Sequence, residues 1–167
     1  GRHGEEIPRR SGVAAGGGFS IALASDFRIM GRSAVLKQAY SSAALCLDGG
    51  GSFMLPRLVG LAKAMEIVTF DPIISAEQAY AWGLVTEVVE DEEVLNKAID
   101  MASQIASGSL HAFGMAKNLL NDSLSTTLET QLERERNAIA TCGAHPEGQE
   151  GLKAFTEKRK PHFGKSL

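Results

Sequence analysis

Two runs of three glycines, Gly16–Gly18 and Gly49–Gly51, each stand directly before an apolar segment, and this arrangement constrains the fold more than any other feature of the chain. Glycine lacks a Cβ, so such a run admits a tight turn, a positive φ or a very close backbone approach. After the first run, "FSIALAS" (19–25) reads as a short buried helix. After the second, a loop over 40–51 leads into a helix from about Gly51, in which Pro56 is tolerable only near the first turn.

Between the runs, "DFRIM" (26–30) and "AVLKQA" (34–39) read as two strands of a hairpin joined by Gly31, Arg32 and Ser33. Downstream, a helix is expected from Leu61 to Phe70. Ser75 with Gln78 forms a capping box for another helix, ended by Gly83, and "LVTEVVE" (84–90) reads as a strand.

The texture changes near Asp91, beyond which breakers are few. Asp91 is expected to cap a helix with an apolar stripe of Val94, Leu95, Ala98, Ile99, Ala102 and Ile105, stopped by Gly108. Helices are expected near 110–121 and 124–141, the latter with Leu128, Leu132 and Ile139 on one face. Pro146 opens a last helix that Pro161 closes. The opening residues, "GRHGEEIPRR", have no period and read as a tail or a cut end. The expected organisation is a tail over 1–11, an α/β core over 12–90 and a helical segment over 91–167.

Composition excludes several classes. Seventeen basic against twenty acidic residues give a net charge of −3, which offers no footprint for nucleic acid or an anionic membrane surface. No apolar run is long enough to span a membrane. The two cysteines, Cys46 and Cys142, lack CxxC spacing, so neither a disulfide framework nor a zinc site is indicated, and a cytoplasmic location is the default. No metal-ligand spacing is present.

"GVAAGGGFS" lacks the lysine of a P-loop and the GxGxxG spacing of a dinucleotide turn. Its glycines do place backbone N–H groups at the positive end of a helix, half of an oxyanion hole for a carbonyl becoming an enolate. A tight turn with close packing is the competing reading. Asp48, set before the second run, suits a helix cap. Phe19, Leu45, Leu47 and Phe53 are expected to form an apolar pocket around it, and Trp82 to lie in the core.

"GVAAGGGFSIALASDFRI", "LDGGGSFMLPRLVGLAKAMEIVTFDPIISAEQAYAWGLVTEVV" and "EGLKAFTEKRKPHF", in that order, resemble the crotonase superfamily, the enoyl-CoA hydratase and isomerase proteins, from Gly12 to Phe163. The resemblance implies an α/β fold, a crotonase-type ββα spiral without roughly its N-terminal third, followed by a helical C-terminal segment for contact between subunits of a homo-oligomer, a trimer or dimer of trimers. It implies an acyl-CoA thioester substrate, with coenzyme A part of the substrate and no separate cofactor. The thioester carbonyl would lie between two backbone N–H groups, one from Gly17, with Gly16 and Gly18 allowing close approach and the second donor on an earlier loop.

The two glutamates that hold water in the family's hydratases map to Ser20 and Tyr40, neither a carboxylate. Asp48 matches a position where isomerase-like and dehalogenase-like members carry aspartate. The resemblance therefore favours an acyl-CoA isomerase that moves a proton with Asp48. Hydration, dehalogenation with Asp48 as nucleophile and a silent fragment remain open, and dehalogenation would need a base from among His3, His111, His145 and His162. Ser20 is expected to make room for the acyl group, and Tyr40 to pack or to donate a hydrogen bond. Phe155 and Lys158 match positions that reach the adenine end of CoA, against which stands a solvated basic helix end.

Overall fold

The computed structural model describes residues 12–163; the tail expected over 1–11, which includes His3, lies outside them. The chain forms two compact units, Gly1–Ile99 and Asp100–Leu167, divided within a helix rather than at Asp91.

In the first unit, β1 (Val13–Ala15) runs through the first glycine run into α1 (Gly17–Leu23). Then come β2 (Ile29–Gly31), β3 (Val35–Lys37), α2 (Gly51–Val59), α3 (Leu61–Phe70), β4 (Ile74–Ser75), α4 (Ala76–Ala81) and β5 (Glu87–Val89). The expected hairpin is not formed. β3 pairs in parallel with β1, Val13 opposite Val35, and antiparallel with β4, whereas β2 pairs in parallel with β5, Ile29 opposite Glu87. β2 and β3, the two segments of the expected hairpin, are largely covered, as parallel pairing through helical crossovers allows and an isolated hairpin would not, whereas β1 stays mostly exposed.

The core joins these layers. Phe19 and Leu23 of α1, Leu55 of α2, Ile67 of α3, Ile74 and Leu84 are all fully buried. Trp82 packs against this cluster half-buried, with the Lys63 ammonium over its ring. The capping box forms as expected, the Gln78 amide donating to Ser75 Oγ at 3.2 Å and the Ser75 amide to Gln78 Oε1 at 3.0 Å. Pro56, by contrast, sits inside α2 beyond its first turn. That placement removes one helical donor, and the helix ends soon after, at Gly60 with φ +78°.

Asp91 does not cap the following helix. Its carboxylate accepts hydrogen bonds from the Ser33 amide and hydroxyl, pinning the turn after β2, and α5 (Val94–Ser107) is entered through a 3₁₀ turn over Asp91–Glu93. Gly31 is explained by the same contact, since a Cβ there would stand 2.5 Å from Asp91 Oδ1. The stripe of α5 is left open, with no residue of the helix buried.

The second unit holds α6 (Leu110–Ser123), α7 (Leu128–Ala144) and α8 (Pro146–Thr156). Ser109 and Thr127 cap α6 and α7. α7 starts later than the apolar period suggests because Thr127 supplies the cap. Pro146 opens α8 as expected, but the helix stops at Thr156, well before Pro161, and Lys158 lies beyond it at φ +53°. The segment after α8 is tied back by Glu150, which accepts from Arg159 Nη1 at 2.6 Å and from the His162 amide at 2.8 Å. Among the described residues, no helix is long and apolar enough to cross a membrane.

The Arg159 hydrogen bonds, aided by the His162 amide, hold the Glu150 carboxyl down to about 2. A lowered folded-state value contributes stability above the ordinary carboxylate range and loses it as pH falls through the folded value. The protection factor of the His162 amide, its exchange relative to an unstructured peptide at the same pH, is therefore expected to be full at neutral pH and to fall as pH drops below the ordinary carboxylate range toward 2. Glu150→Ala, which removes the acceptor, should abolish that protection already at neutral pH; unchanged protection in this variant would show that Glu150 does not hold the segment.

Candidate functional site

Three sequence-predicted residues, Ser20, Tyr40 and Asp48, meet in the first unit. Ser20 lies on the inner face of α1, fully buried. Tyr40 follows β3 and is 8% exposed. Asp48 lies on the exposed loop before α2. The Tyr40 hydroxyl donates to Asp48 Oδ1 at 2.5 Å, and Ser20 Oγ stands 3.5 Å from the Tyr40 oxygen, at the long limit for a hydrogen bond.

The second glycine run makes this meeting possible. Gly49 and Gly50 have positive φ, +56° and +83°. A Cβ on Gly49 would lie 3.2 Å from Ser20 Cβ, and one on Gly51 would lie 2.5 Å from Ser20 Oγ and 2.9 Å from Leu47 Cδ2. The loop thus closes directly onto α1. The small side chain of Ser20 is filled over by that loop, so the space it was expected to leave for an acyl group is taken by Gly49 and Gly51.

Asp48 does not cap α2: Gly50 is the N-cap, with no side-chain bond, and Asp48 contributes its backbone carbonyl, which accepts from the Gly51 amide at 2.9 Å. Nor do the expected apolar neighbours enclose it. Phe19 is buried and Leu47 half-buried, but Leu45 and Phe53 are 65% and 57% exposed, and the Arg57 guanidinium stacks on the Phe53 ring. Asp48 is consequently open to solvent on one side and bound to Tyr40 on the other.

The first glycine run opens α1. Gly16 is the N-cap at φ +54°, its amide donating to the Lys37 carbonyl at 3.2 Å, and no side chain caps the helix. Gly17 and Gly18 occupy the first turn, where N–H groups have no carbonyl of their own helix to bond. Nothing stands within 4 Å of where a Cβ would be at Gly16, Gly17 or Gly18. Gly17 and Gly18 also have ordinary negative φ, so neither a turn nor packing within the described residues requires glycine there.

The support behind Tyr40 carried no sequence signal. Ala39 and Ala44, on either side of it, adopt φ +60° and +57°, and Asp71 adopts +46°. Such a conformation costs a non-glycine residue on the order of 1–3 kcal/mol and persists where the surroundings enforce it. Here the enforcing contacts are the Ala39 amide donating to Asp71 Oδ1 at 2.8 Å and the Tyr40 amide donating to Oε1 of the buried Gln38 at 3.1 Å. Burial works to raise the Asp71 carboxyl, but the Ala39 amide, Ser42 and Lys37 together outweigh it and hold the group below its ordinary value.

The remaining sequence-predicted residues belong to the second unit. Phe155, on α8, is 85% exposed, and Lys158 follows the helix. His111 and His145 stack ring on ring at 4.0 Å, and the His145 ring caps α8 by accepting from the Glu147 amide. Among the described residues, no group of three or more His, Cys, Asp or Glu is arranged to hold a metal.

Short strands crossing through helices, a loop closed on glycines and a helix opened on glycines make up a crotonase-type α/β fold, with the exposed carboxylate of Asp48 held by a buried tyrosine. The model of the family described as enoyl-CoA hydratase/isomerase matches residues 7–166, and the chain belongs to that family. It is 39% identical over 153 residues to the 1,2-epoxyphenylacetyl-CoA isomerase of Escherichia coli (strain K12), covering 92% of this chain and 58% of the relative. It is 35% identical over 149 residues to a 4-chlorobenzoyl coenzyme A dehalogenase of Arthrobacter, covering 89% and 54%. The crystal structure of an enoyl-CoA hydratase from Polaromonas sp. JS666 superposes with a TM-score of 0.85 at 39% identity, covering 90% of this chain and 59% of that one. The chain thus spans less than two thirds of the length of these relatives, whose names carry three different reactions.

The loop closure sets a test. Gly51→Ala is expected to cost about 1–3 kcal/mol, since its Cβ meets Ser20 Oγ and Leu47. Adding Ser20→Ala should recover part of the loss. Urea unfolding of the single and double variants reads this, and strictly additive losses would mean the loop does not close on Ser20.

Proposed function

We propose that the protein containing this chain is an acyl-CoA isomerase of crotonase type, shifting a double bond by proton transfer with Asp48 as acid and base. The observation that carries this reading is the composition of the Ser20, Tyr40 and Asp48 cluster. Its carboxylate is Asp48, freed from capping and anchored through one oxygen, while the two positions that carry the hydratase glutamates hold Ser20 and Tyr40.

The step balances for a 3-enoyl thioester. Asp48 takes a proton from C2, and the C2–H electron pair becomes the π bond of a thioester enolate. The enolate then reforms its carbonyl, a C2–C3 double bond replaces the C3–C4 one, and C4 receives the proton from Asp48. Negative charge builds on the thioester oxygen as the enolate forms and leaves it as the carbonyl reforms. Gly17 is the proposed donor to that oxygen, because the glycines at 17 and 18, unneeded by the chain's own packing, leave its amide open to close approach. A positioned acid/base is typically worth about 10²–10⁴-fold, and one oxyanion donor on the order of 10²–10³.

The adenine end of CoA is assigned to Phe155 and Lys158, a reading supported by the exposure of the ring. The apolar face of α7, with Leu128, Leu132 and Ile139 each more than half exposed, supports assembly of several copies, as trimer or dimer of trimers, for which native mass is the check. Hydration would need a water held without a second carboxylate. Dehalogenation would need a histidine base, whereas the described histidines all lie in the second unit.

Conversion of a 3-enoyl-CoA to its conjugated isomer, followed by ultraviolet absorbance with the protein at its full natural length, decides the reading. Asp48→Asn is expected to lower kcat by about 10²–10⁴-fold with folding intact. Isomerisation at an undiminished rate in this variant would remove Asp48 from the reaction.

A further inference from the structure

We infer that Tyr40 is a positioning residue that immobilises one oxygen of Asp48, so that the other oxygen both removes and returns the migrating proton. This rests on the isomerase reading above and adds a directional constraint to it.

Several observations converge. A carboxylate on an exposed loop ordinarily turns about its terminal torsion, exchanging its two oxygens. Here Oδ1 is held by the Tyr40 hydroxyl at 2.5 Å. That hydroxyl cannot wander, because the ring is 8% exposed and its oxygen is backed by the buried Ser20 Oγ. Ser20 Oγ, 3.5 Å from that oxygen, limits where the phenol can move without a close hydrogen bond to it.

The backbone beneath Tyr40 is strained to achieve this. Ala39 and Ala44 are both left-handed, and the side chains of Asp71 and Gln38 bind the amides of Ala39 and Tyr40. Strain of this kind, stabilised from two sides around one aromatic residue, is expected where orientation matters rather than where a ring merely fills space. Packing alone would not require the hydroxyl to meet the carboxylate.

The chemical consequence follows from microscopic order. With Oδ1 occupied, the proton taken from C2 resides on Oδ2, and the Tyr40 bond to Oδ1 persists in the acid form because a carboxylic acid keeps a carbonyl acceptor. Rotation of the acid about its terminal torsion is blocked, so delivery to C4 comes from the same oxygen on the same face of the substrate.

The experiment uses the full-length protein with a 3-enoyl-CoA deuterated at C2, in ordinary water, and counts deuterium at C4 of the product. Wild type is expected to retain label. Tyr40→Phe is expected to lose much of that retention and to lower kcat about tenfold, the worth of one hydrogen bond to a charged group, with KM nearly unchanged. Retention and kcat unchanged in Tyr40→Phe would overturn the inference, while loss of activity in Asp48→Asn would leave the isomerase reading standing.

A second measurement needs no turnover. The carboxyl carbon of Asp48, labelled with ¹³C, is expected to show a shift between H₂O and D₂O that vanishes in Tyr40→Phe. The same signal with and without the hydroxyl would overturn the inference even if no enoyl substrate reacts. Should Tyr40→Phe fail to fold, 3-fluorotyrosine at position 40 keeps ring and hydroxyl; an altered Asp48 signal supports the anchoring and an unaltered one refutes it.

Discussion

The closure of the Gly49–Gly51 loop onto Ser20 is the contact on which the meeting of Tyr40 and Asp48 depends. It requires three things at once: positive φ at Gly49 and Gly50, no side chain at Gly51, and a side chain no larger than serine on the inner face of α1. Any one of these changed pushes Asp48 away from Tyr40. Because α1 and α2 share Phe19, Leu23 and Leu55 in one fully buried cluster, displacement of the loop is resisted by the packing of two helices and not by the loop itself. The loop is thereby held at the spacing that its two helices set.

The two glycine runs do different work, although they look alike as sequence. In the second, glycine is demanded by the chain: a Cβ at Gly51 has nowhere to go. In the first, Gly17 and Gly18 are unconstrained by anything in the described residues, with negative φ and empty space on the Cβ side. An internal packing argument therefore accounts for one run and fails for the other. Backbone left bare at the start of a helix is suited to close approach by a group outside the chain, which is what an oxyanion site requires.

The helices, the capping box and the glycine turns were legible because each rests on a local rule: period, cap residue or φ. What was not legible depends on partners distant in sequence. Nothing in "DFRIM" or "AVLKQA" tells that β2 will seek Glu87–Val89 while β3 seeks Val13–Ala15, and two apolar strands three residues apart read naturally as a hairpin. The same holds for Asp91, whose position before a helix suggests a cap but whose carboxylate is taken by Ser33, fifty-eight residues earlier. The candidate site was half legible for this reason. Ser20, Tyr40 and Asp48 could be nominated one by one, but the hydroxyl of Tyr40 meeting Asp48 depends on left-handed alanines and on Asp71, which has no motif to mark it.

That dependence bears on how reaction type is encoded in this fold. In the hydratase pattern the positions of Ser20 and Tyr40 carry two carboxylates that hold a water. Here the first is sealed beneath a loop and the second carries a phenol that points at a different acid. Replacing Ser20 by glutamate would not recover the hydratase arrangement, because the larger side chain would meet the loop where a Cβ on Gly51 already has no room. Replacing Tyr40 by glutamate would set a second carboxylate beside Asp48, where like charges disfavour shared ionisation. The present arrangement is thus internally consistent: small side chain, closed loop, phenol and single carboxylate each exclude the alternative set, and a change of chemistry would require changing them together.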